Sequence, residues 1–511
     1  MQQFILIGLS GGLMLLSGWR YQREQRQQSI AVLMAAALTL RIGVAGLDPF
    51  LHSWDERFHA LVAKNLLDNW MRPVLHADPV LPYDYQQWCC NSVWLHKQPL
   101  FLWQIATSFR YLGVSEFALR LPSALLGAAV IWPVYRLGCL IFNAIIGYHA
   151  GVLFAMAYYS LELTSGWQSV DHADVAFMAY VTGSLWAYYE CRATPARAWR
   201  WAVLTGLLAG AAVLCKWLPG LVVYAAWGAD VLVDVHRRKV QEYGRLLAAL
   251  AITLAVALPW QVYIRHKFPL ESAFEQEYAA RHFSEVLEDK GGPWYFYITN
   301  LWYQFQWIVL PIAGGFGVLV TRPWRPVVLP LLLTCGVVFA FFSCAATKMV
   351  SYTYAVAPVL LLLAALGWVE ATRWLNHRGR AGKWGGMLLA GLMLFCNLRP
   401  TALLKHHSLA HTSPELRRDR QRKLQHTEIY RQLDALVPSG YVVLNAPPFE
   451  DVEAMFYSRR NVYWQLPSEQ ECQNLRSWGE GIAVFIGPGC TTLPKYLQQD
   501  ASVLVIKKPL D

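Results

Sequence analysis

The sequence predicts an α-helical polytopic membrane protein of about twelve transmembrane helices, with amphipathic helices on its outer face and a small C-terminal α/β domain. Of the 511 residues, 55% are hydrophobic and only 15% are charged, whereas an ordinary soluble domain has about 25% charged residues. Aromatic residues make up 14% of the chain, which suits the Trp and Tyr belts of two membrane interfaces. This composition excludes a soluble enzyme and a disordered chain.

Apolar windows of about 20 residues, the length that crosses a bilayer, locate the predicted spans. The windows are 4–19, 29–47, 118–141, 144–165, 174–191, 201–216, 218–235, 245–264, 294–320, 325–346, 351–371 and 384–399. The first window has no basic residue before it and no clear cleavage site, so we expect a retained helix rather than a signal peptide.

The net charge of +10 falls in loops between apolar segments, where it indicates topology and contact with membrane lipids rather than nucleic-acid binding. Counting spans places five basic loops on one side, which is the cytoplasmic side by the positive-inside rule. These loops lie near residues 20–26, 192–200, 237–239, 322–325 and 373–383. The long segments 48–117 and 265–292 then lie outside.

The outer segments and the C-terminal region have their own secondary structure patterns. Residues 55–70 and 99–113 have apolar residues at helical spacing and predict interfacial helices, and segment 265–292 is amphipathic. After Pro400, the transmembrane domain (1–400) gives way to an extracytoplasmic domain (401–511). Strand-like runs in that domain alternate with helical stretches, which predicts a small α/β fold. The strand-like runs are 441–446, 461–466, 481–487 and 502–507, and the helical stretches are 449–458 and 468–478.

Two cysteine pairs remain open from the sequence alone. Cys472 and Cys490 are the only cysteines of the predicted outer domain, where an oxidising compartment would permit a disulfide, and they either pair or stay free. Cys89 and Cys90 are adjacent and would be strained as a mutual disulfide.

Ionisable residues from separate segments collect on the predicted outer side. They are Asp55, Glu56, His96, Lys97, Asp171, His172, Asp174, Lys216, Glu277, Arg281, His282 and Lys348. Each alone has a structural explanation, such as an acid in the first turn of a helix or a lysine that reaches the membrane interface. Together they predict a site at the level of the lipid headgroups. A carboxylate can act there as general base, and cations can hold a departing phosphate, which predicts lipid-phosphate chemistry.

Several motifs, taken in order, resemble a known family. They are DERFHALVAKNLL from Asp55, HKQPLFLW with GVSEFALRLPSALLG from His96, DHADVAF from Asp171, CKWLPG, YAARHF with GPWYFY, and ATKMVSYTYAVAP. Over residues 29–400 the sequence resembles the GT-C membrane glycosyltransferases. It is most similar to the branch with the bacterial lipid A aminoarabinose transferases and the protein O-mannosyltransferases.

The resemblance implies a role for each matching residue. Asp55 would be the catalytic base with Glu56 beside it, and Asp174 the second functional acid, with Asp171 as its competitor. The residues expected to bind the lipid phosphate or the donor are Lys97, His96, Arg281, Lys348, Tyr352 and Lys216. His96 and Tyr278 stand where the aminoarabinose transferases have Glu and His, two positions linked to metal in some members. This departure argues against a metal cofactor at those positions, although His96, Asp171 and His172 form an alternative metal set.

The implied reaction transfers a sugar from a polyprenyl phosphate, expected to be undecaprenyl phosphate, to lipid A, another glycan or a protein, with inversion at the anomeric carbon. The implied location is the bacterial inner membrane, with the site and the C-terminal domain in the periplasm. The alternatives are a polytopic lipid or sugar transporter and a scaffold. A transporter predicts charges near the midplane and related halves, but the clearest intramembrane charges, Arg41 and Arg136, lie near span ends and no internal repeat is visible.

Overall fold

The computed structural model describes residues 2–168, 170–323, 326–407, 414–487 and 490–507. Within these ranges the chain forms 24 α-helices and one three-stranded sheet. The sheet and its helices follow the helical bundle along the chain. The predicted fold class, a polytopic helical protein with a small C-terminal α/β region, is therefore confirmed.

The bundle and its connecting segments contain nineteen of the α-helices. In chain order they are α1 Gln2–Gln22, α2 Arg26–Ala45, α3 Asp55–Asn65, α4 Pro99–Leu112, α5 Glu116–Ala129, α6 Ile131–Ile141, α7 Ala144–Ala155, α8 Tyr158–Thr164, α9 His172–Ala193, α10 Ala198–Lys216, α11 Val222–Val233, α12 Val240–Lys267, α13 Pro269–Ser284, α14 Phe296–Phe305, α15 Val309–Thr321, α16 Leu329–Cys344, α17 Ala357–Asn376, α18 Gly379–Leu398 and α19 Pro400–His407. Short 3₁₀ turns join several of them, including Leu218–Leu221, Gln306–Ile308 and Tyr352–Val356.

The described part of the chain has nine helices long and apolar enough to cross a membrane, or ten if the bent pair α7–α8 is one span. Leu218–Val233 is apolar but shorter, and α9 has 22 residues but is more polar than the others. Each of the twelve apolar windows in the sequence thus contains a helix, and the chain is a multi-pass membrane protein.

Arg41 explains how the bend between α7 and α8 is accommodated inside the bundle. The two helices meet at an angle of 49°, which leaves backbone carbonyls without helical partners. The buried guanidinium of Arg41 donates to Ala155 O at 3.1 Å and to Phe154 O at 3.3 Å, and also to Ser160 Oγ at 3.2 Å. This intramembrane cation therefore has a structural role at a broken span.

Ion pairs join the ends of α9, α11 and α12 that lie at the basic loops. Arg192 pairs with Asp230, and Arg237 Nε lies 3.0 Å from Asp230 Oδ2 and Nη2 2.8 Å from Glu242 Oε2. Because α9 begins at His172 and ends at Ala193, this cluster lies at the opposite end of α9 from the predicted site.

The C-terminal region forms a small parallel sheet flanked by short helices. Its elements are α20 Pro414–Arg431, α21 Leu433–Leu436, β1 Tyr441–Leu444, α22 Asp451–Tyr457, α23 Glu469–Ser477, β2 Gly481–Ile486, α24 Lys495–Gln498 and β3 Leu504–Lys507. The strand order is β1-β2-β3, with Tyr441 opposite Gly481 and Ala483 opposite Leu504. The predicted strand 461–466 is reduced to one parallel bridge between Val462 and Val443 at the free edge of β1. Cys472 and Cys490 are both free thiols.

Helix α3 differs from the expected interfacial helix. All residues from Asp55 to Ala63 are buried, including four that are ionisable. The reason is that α4 packs on one side of α3 and α22 of the C-terminal region packs on another, so protein encloses most of the helix. The predicted helix is present, and its position along the membrane surface stays a prediction.

Candidate active site

The predicted acids and cations meet where the first turn of α3 approaches the start of α4, the end of α10 and the turn 345–351. Trp54 and Trp217, which precede Asp55 and follow Lys216, have positive φ angles of 69° and 59°. A bulky non-glycine residue in this region is strained, and such strain persists where the surrounding structure enforces it, often at functional sites. The strain marks the two segments that supply Asp55 and Lys216.

Asp55 and Lys97 form an ion pair at the centre of this region. Lys97 Nζ lies 3.0 Å from Asp55 Oδ2, and the side chains are 21% and 10% exposed. Burial alone would raise the pKa of Asp55, but the Lys97 ammonium outweighs it and holds the pKa below its ordinary value. Asp55 therefore carries its charge at neutral pH, and the pair keeps partial access to solvent.

Glu56, the neighbour of Asp55, points to different partners. Arg120 donates to both oxygens of Glu56, from Nε at 2.8 Å and from Nη2 at 3.0 Å, and the His52 N–H donates at 2.6 Å. Both charged side chains are fully buried. Although burial opposes ionisation, Arg120 holds the pKa of Glu56 well below its usual range. Gly166, at φ 75°, leaves room for the carboxylate, since a Cβ there would collide with it.

Asp174 and Lys216 form the second pair of the region. Lys216 donates to Asp174 Oδ1, and Ser351 Oγ donates to Asp174 Oδ2 at 3.1 Å. The Lys216 ammonium also lies 4.6 Å from the centre of the Tyr352 ring, within cation–π distance. Thus Asp174, Lys216 and Tyr352, which the sequence places in three separate segments, are brought together.

A buried histidine links α3 to the start of α9. His59 Nδ1 lies 2.8 Å from Asp171 Oδ1, and both side chains are fully buried. Burial lowers the pKa of His59 to about 4 and raises the pKa of Asp171 to about 7. Next to this pair, His172 Nδ1 lies 2.8 Å from Ser123 Oγ and its Nε2 lies 3.5 Å from Glu56 Oε1.

Two of the predicted phosphate-binding cations have local partners in the structure. Lys348 Nζ donates to Ser343 O at 3.0 Å and to Ala345 O, at the C-terminal end of α16. Arg281 lies on the exposed side of α13 and pairs with Glu285, at 2.9 Å and one turn along. No contact in the described part of the chain joins Arg281 to Asp55, Lys97 or Asp174, so its expected role stays a prediction.

His96 connects the segment before α4 with α13. Its Nδ1 lies 3.2 Å from Glu275 Oε2, and its ring stacks on Trp88 with a centroid distance of 4.6 Å. The Tyr278 ring lies 5.8 Å away on α13. His96 therefore does not lie with Asp171 and His172, and in the described ranges no group of three or more His, Cys, Asp or Glu side chains has a metal-binding arrangement. The alternative metal set does not fit a metal ion.

Sequence reasoning did not select four residues that the structure adds to this region. His59 could have been found from its position four residues after Asp55 on one helix, a spacing that puts both on one face. Arg120 and Ser351 lie within the quoted motifs, but no local pattern reveals their partners. Lys290, whose ammonium lies 4.5 Å from the centre of the Trp54 ring, comes from a loop with no periodic signal.

Comparisons with known proteins agree with this architecture. Residues 96–263 match the family described as dolichyl-phosphate-mannose-protein mannosyltransferase. ArnT from Cupriavidus metallidurans has a similar structure in two states, bound to undecaprenyl phosphate (16% identity, TM-score 0.62) and apo (18% identity, TM-score 0.60). Each alignment covers 88% of this chain and 88% of ArnT. The chain therefore shares the overall fold of ArnT.

The archaeal oligosaccharyltransferase AglB from Archaeoglobus fulgidus, in complex with an inhibitory peptide and a dolichol-phosphate, has the same type of fold. Its identity is 14% and its TM-score 0.55, over 85% of this chain and 64% of AglB. No curated protein sequence matches the chain significantly. The family match runs from just before α4 into α12, and the structural alignment with ArnT extends over most of the chain.

Proposed function

We propose that this protein is a GT-C-type membrane glycosyltransferase that transfers a sugar from a polyprenyl phosphate, with undecaprenyl phosphate as the carrier lipid, to a lipid A, glycan or protein acceptor outside the cytoplasm. Three comparisons support a donor of this class. The matching family is named for dolichyl-phosphate-mannose, and the ArnT and AglB structures contain undecaprenyl phosphate and a dolichol-phosphate. All three share a phosphate carried on a polyprenyl lipid.

The observation that carries the proposal is the Asp55–Lys97 pair, a carboxylate and an ammonium 3.0 Å apart with partial exposure of both. An acceptor hydroxyl or amine attacks the anomeric carbon, its proton passes to Asp55, and the bond from that carbon to the phosphate oxygen breaks. The polyprenyl phosphate leaves with the bonding electrons as an anion. Attack from the face opposite the phosphate inverts the anomeric configuration.

Lys97 would take part in both halves of this reaction. A phosphate anion that binds the Lys97 ammonium weakens its attraction to Asp55, so the pKa of Asp55 rises when the donor is bound. Asp55 then becomes a stronger base once the donor is in place. Lys216 and Tyr352 lie in the same region, and we assign them to donor binding together with Lys97 and, from the turn at the end of α16, Lys348.

Asp174 and Glu56 receive different roles in this proposal. Asp174 is bound by Lys216 and Ser351, so we assign it to positioning Lys216 rather than to proton transfer. Glu56 is enclosed by Arg120 and the His52 N–H, which leaves its carboxylate without access to a substrate. We assign Glu56 to holding the first turn of α3 against α5.

The proposed location is the bacterial inner membrane, with the site on the periplasmic side. It follows from the charge distribution of the loops, because the basic loops lie at the end of α9 remote from Asp174. Protease accessibility of the C-terminal region in sealed inside-out and right-side-out vesicles tests this orientation.

The reaction is tested with purified protein in nanodiscs, a panel of radiolabelled polyprenyl-phosphate sugars and a membrane extract as acceptor. We expect one donor to yield labelled product and free polyprenyl phosphate, with inverted configuration at the anomeric carbon. If the protein in sealed liposomes moves labelled donor across the bilayer without cleaving it, this result would instead support the transporter alternative.

A further inference from the structure

Helix α3 has two anchors in the C-terminal region. Arg57 Nη1 donates to Phe449 O at 2.6 Å, and its Nε lies 3.3 Å from Glu453 Oε1. At the last turn of α3, Lys64 Nζ donates to Met455 O at 2.7 Å, Phe456 O at 3.0 Å and Ser458 O at 2.6 Å. All these acceptors lie in α22 or directly beside it.

The Lys64 contact is well matched in charge and geometry. The last carbonyls of a helix have no partners within it and carry a partial negative charge. The Lys64 ammonium satisfies three carbonyls at the C-terminal end of α22 from a partly buried position. The contact thus fixes the end of α3 to the C-terminal end of α22 through directed hydrogen bonds, rather than through apolar packing alone.

The same region holds the chain on both sides of α3. Arg431 Nη2 donates to Glu116 Oε1 at 2.7 Å and Tyr457 donates to the same oxygen at 2.6 Å, so the start of α5 is also tied to α20 and α22. The Tyr463 hydroxyl accepts from the Val80 N–H at 3.1 Å, further along the first outer segment. Because Arg431 Nη2 also donates to Pro49 O at 3.1 Å, the C-terminal region contacts the segment that supplies Asp55 before, within and after α3.

The opposite side of α3 is held by the bundle through Glu56 with Arg120 and through His59 with Asp171. The helix thus lies between two sets of charged contacts, one in the membrane bundle and one in the C-terminal region. The proposed donor-binding cations Lys97, Lys216 and Lys348 lie on other segments and, among the residues that the structure describes, form no hydrogen bond or ion pair with α22.

We infer that the C-terminal domain positions the catalytic helix, with Arg57 and Lys64 as positioning residues that hold Asp55 in register with Lys97. This inference rests on the proposed function of Asp55 as base. Loss of the anchors lets α3 shift by a fraction of a helical turn, which misplaces the base but leaves the phosphate-binding cations in place. A displacement of about 1 Å at a reacting group costs up to about 100-fold in rate.

The test uses the full-length protein in nanodiscs with the Lys64→Met and Arg57→Met variants, the donor that supports transfer, and undecaprenyl phosphate as binding probe. We expect kcat to fall by about 10-fold to 100-fold while the Kd for undecaprenyl phosphate stays within about twofold of wild type. Lys64→Arg should restore most of kcat, because its guanidinium can still donate to the α22 carbonyls. Arg476→Met, which breaks an ion pair with Asp500 inside the domain, is the matched control and should retain the wild-type kcat.

Two results would overturn the inference. One is a wild-type kcat in the double variant Arg57→Met/Lys64→Met. The other is a loss of donor binding as large as the loss of kcat, which would indicate general unfolding rather than displacement of α3. If Lys64→Met does not fold, Glu453→Gln weakens the Arg57 anchor more gently and must lower kcat by itself. A wild-type rate for Asp55→Asn would instead refute the proposed base, and the two failures are therefore distinguishable.

Discussion

The carboxylate of Asp55 and the ammonium of Lys97 lie 3.0 Å apart, on two segments of the first outer region that are joined by a long stretch without regular helix. The pair combines a base with a phosphate-binding cation in one contact. Because the cation lowers the pKa of the acid, the state of Lys97 controls how readily Asp55 accepts a proton. This coupling leads to a prediction about pH dependence.

Replacing Lys97 by Met is expected to move the acidic limb of the transfer rate to higher pH. In the wild type Lys97 holds the pKa of Asp55 below its ordinary value of 3.8, against the effect of burial. Without Lys97, burial dominates and the pKa of Asp55 rises, so the acidic limb should move in the same direction. The measurement is kcat/KM against pH, with Lys97→Arg as the control that keeps the charge. An unchanged acidic limb in Lys97→Met would contradict the coupling.

The Glu56–Arg120 pair is expected to contribute to stability rather than to chemistry. Arg120→Met leaves a buried carboxylate unpaired and should lower the free energy of unfolding by about 3–5 kcal/mol. The exposed Arg281–Glu285 pair is the matched control, and Arg281→Met should cost less than about 1 kcal/mol. Equilibrium unfolding in mixed micelles measures both. Equal losses for the two variants would argue against a special role for the buried pair.

Glu56 also makes this stability dependent on pH. Its pKa is lower in the folded protein than its ordinary value of 4.5. Its stabilising contribution is therefore fully present above about pH 4.5 and is lost as the pH falls below that value. Glu56→Gln should remove this part of the acid sensitivity when unfolding is followed between neutral and acidic pH.

How far the sequence predicts this molecule depends on how local each signal is. Each apolar window contains a helix because a span has to be apolar over its own length, whatever its neighbours are. The helical spacing of apolar residues predicted α3, but not its burial, because the partners of its ionisable residues, Arg120, Asp171 and Glu453, lie far away in the chain.

The candidate site likewise combines residues that the sequence alone could select with contacts that it could not predict. Asp55, Lys97, Asp174 and Lys216 could be selected because charged residues near membrane boundaries are costly and uncommon. Their pairing could not be predicted, since it depends on how α3, α4, α9 and α10 pack. The free thiols of Cys472 and Cys490 likewise reflect their separate positions in the fold, which spacing alone does not reveal.

The Asp171–His59 pair is expected to hold the start of α9 against α3. Asp171→Ala leaves His59 Nδ1 buried without a partner, which should cost about 1–3 kcal/mol of stability. Asp171→Asn keeps a hydrogen-bonding oxygen and should cost less than Asp171→Ala. Thermal unfolding in detergent compares the two variants. Equal losses for the two variants would contradict this expectation and indicate that the charge of Asp171, rather than its hydrogen bond, matters.

If Asp174 positions Lys216, its substitution should affect donor KM and kcat to different extents. Asp174→Asn frees the Lys216 ammonium from its ion pair, so donor KM should change more than kcat. Lys216→Met should raise donor KM by about 10-fold or more, because it removes a charge-assisted contact to phosphate. Steady-state transfer at varied donor concentration gives both parameters. A fall in kcat alone for Asp174→Asn would favour Asp174 as the base.

The role of Asp55 as general base is tested by single-turnover sugar transfer with wild type and Asp55→Asn at saturating donor, with undecaprenyl phosphate binding measured on the same samples. Asp55→Asn should lower the rate of transfer by about 10²-fold to 10⁴-fold, the range for loss of a general base, while donor binding stays close to wild type. Transfer by Asp55→Asn at the wild-type rate would contradict it.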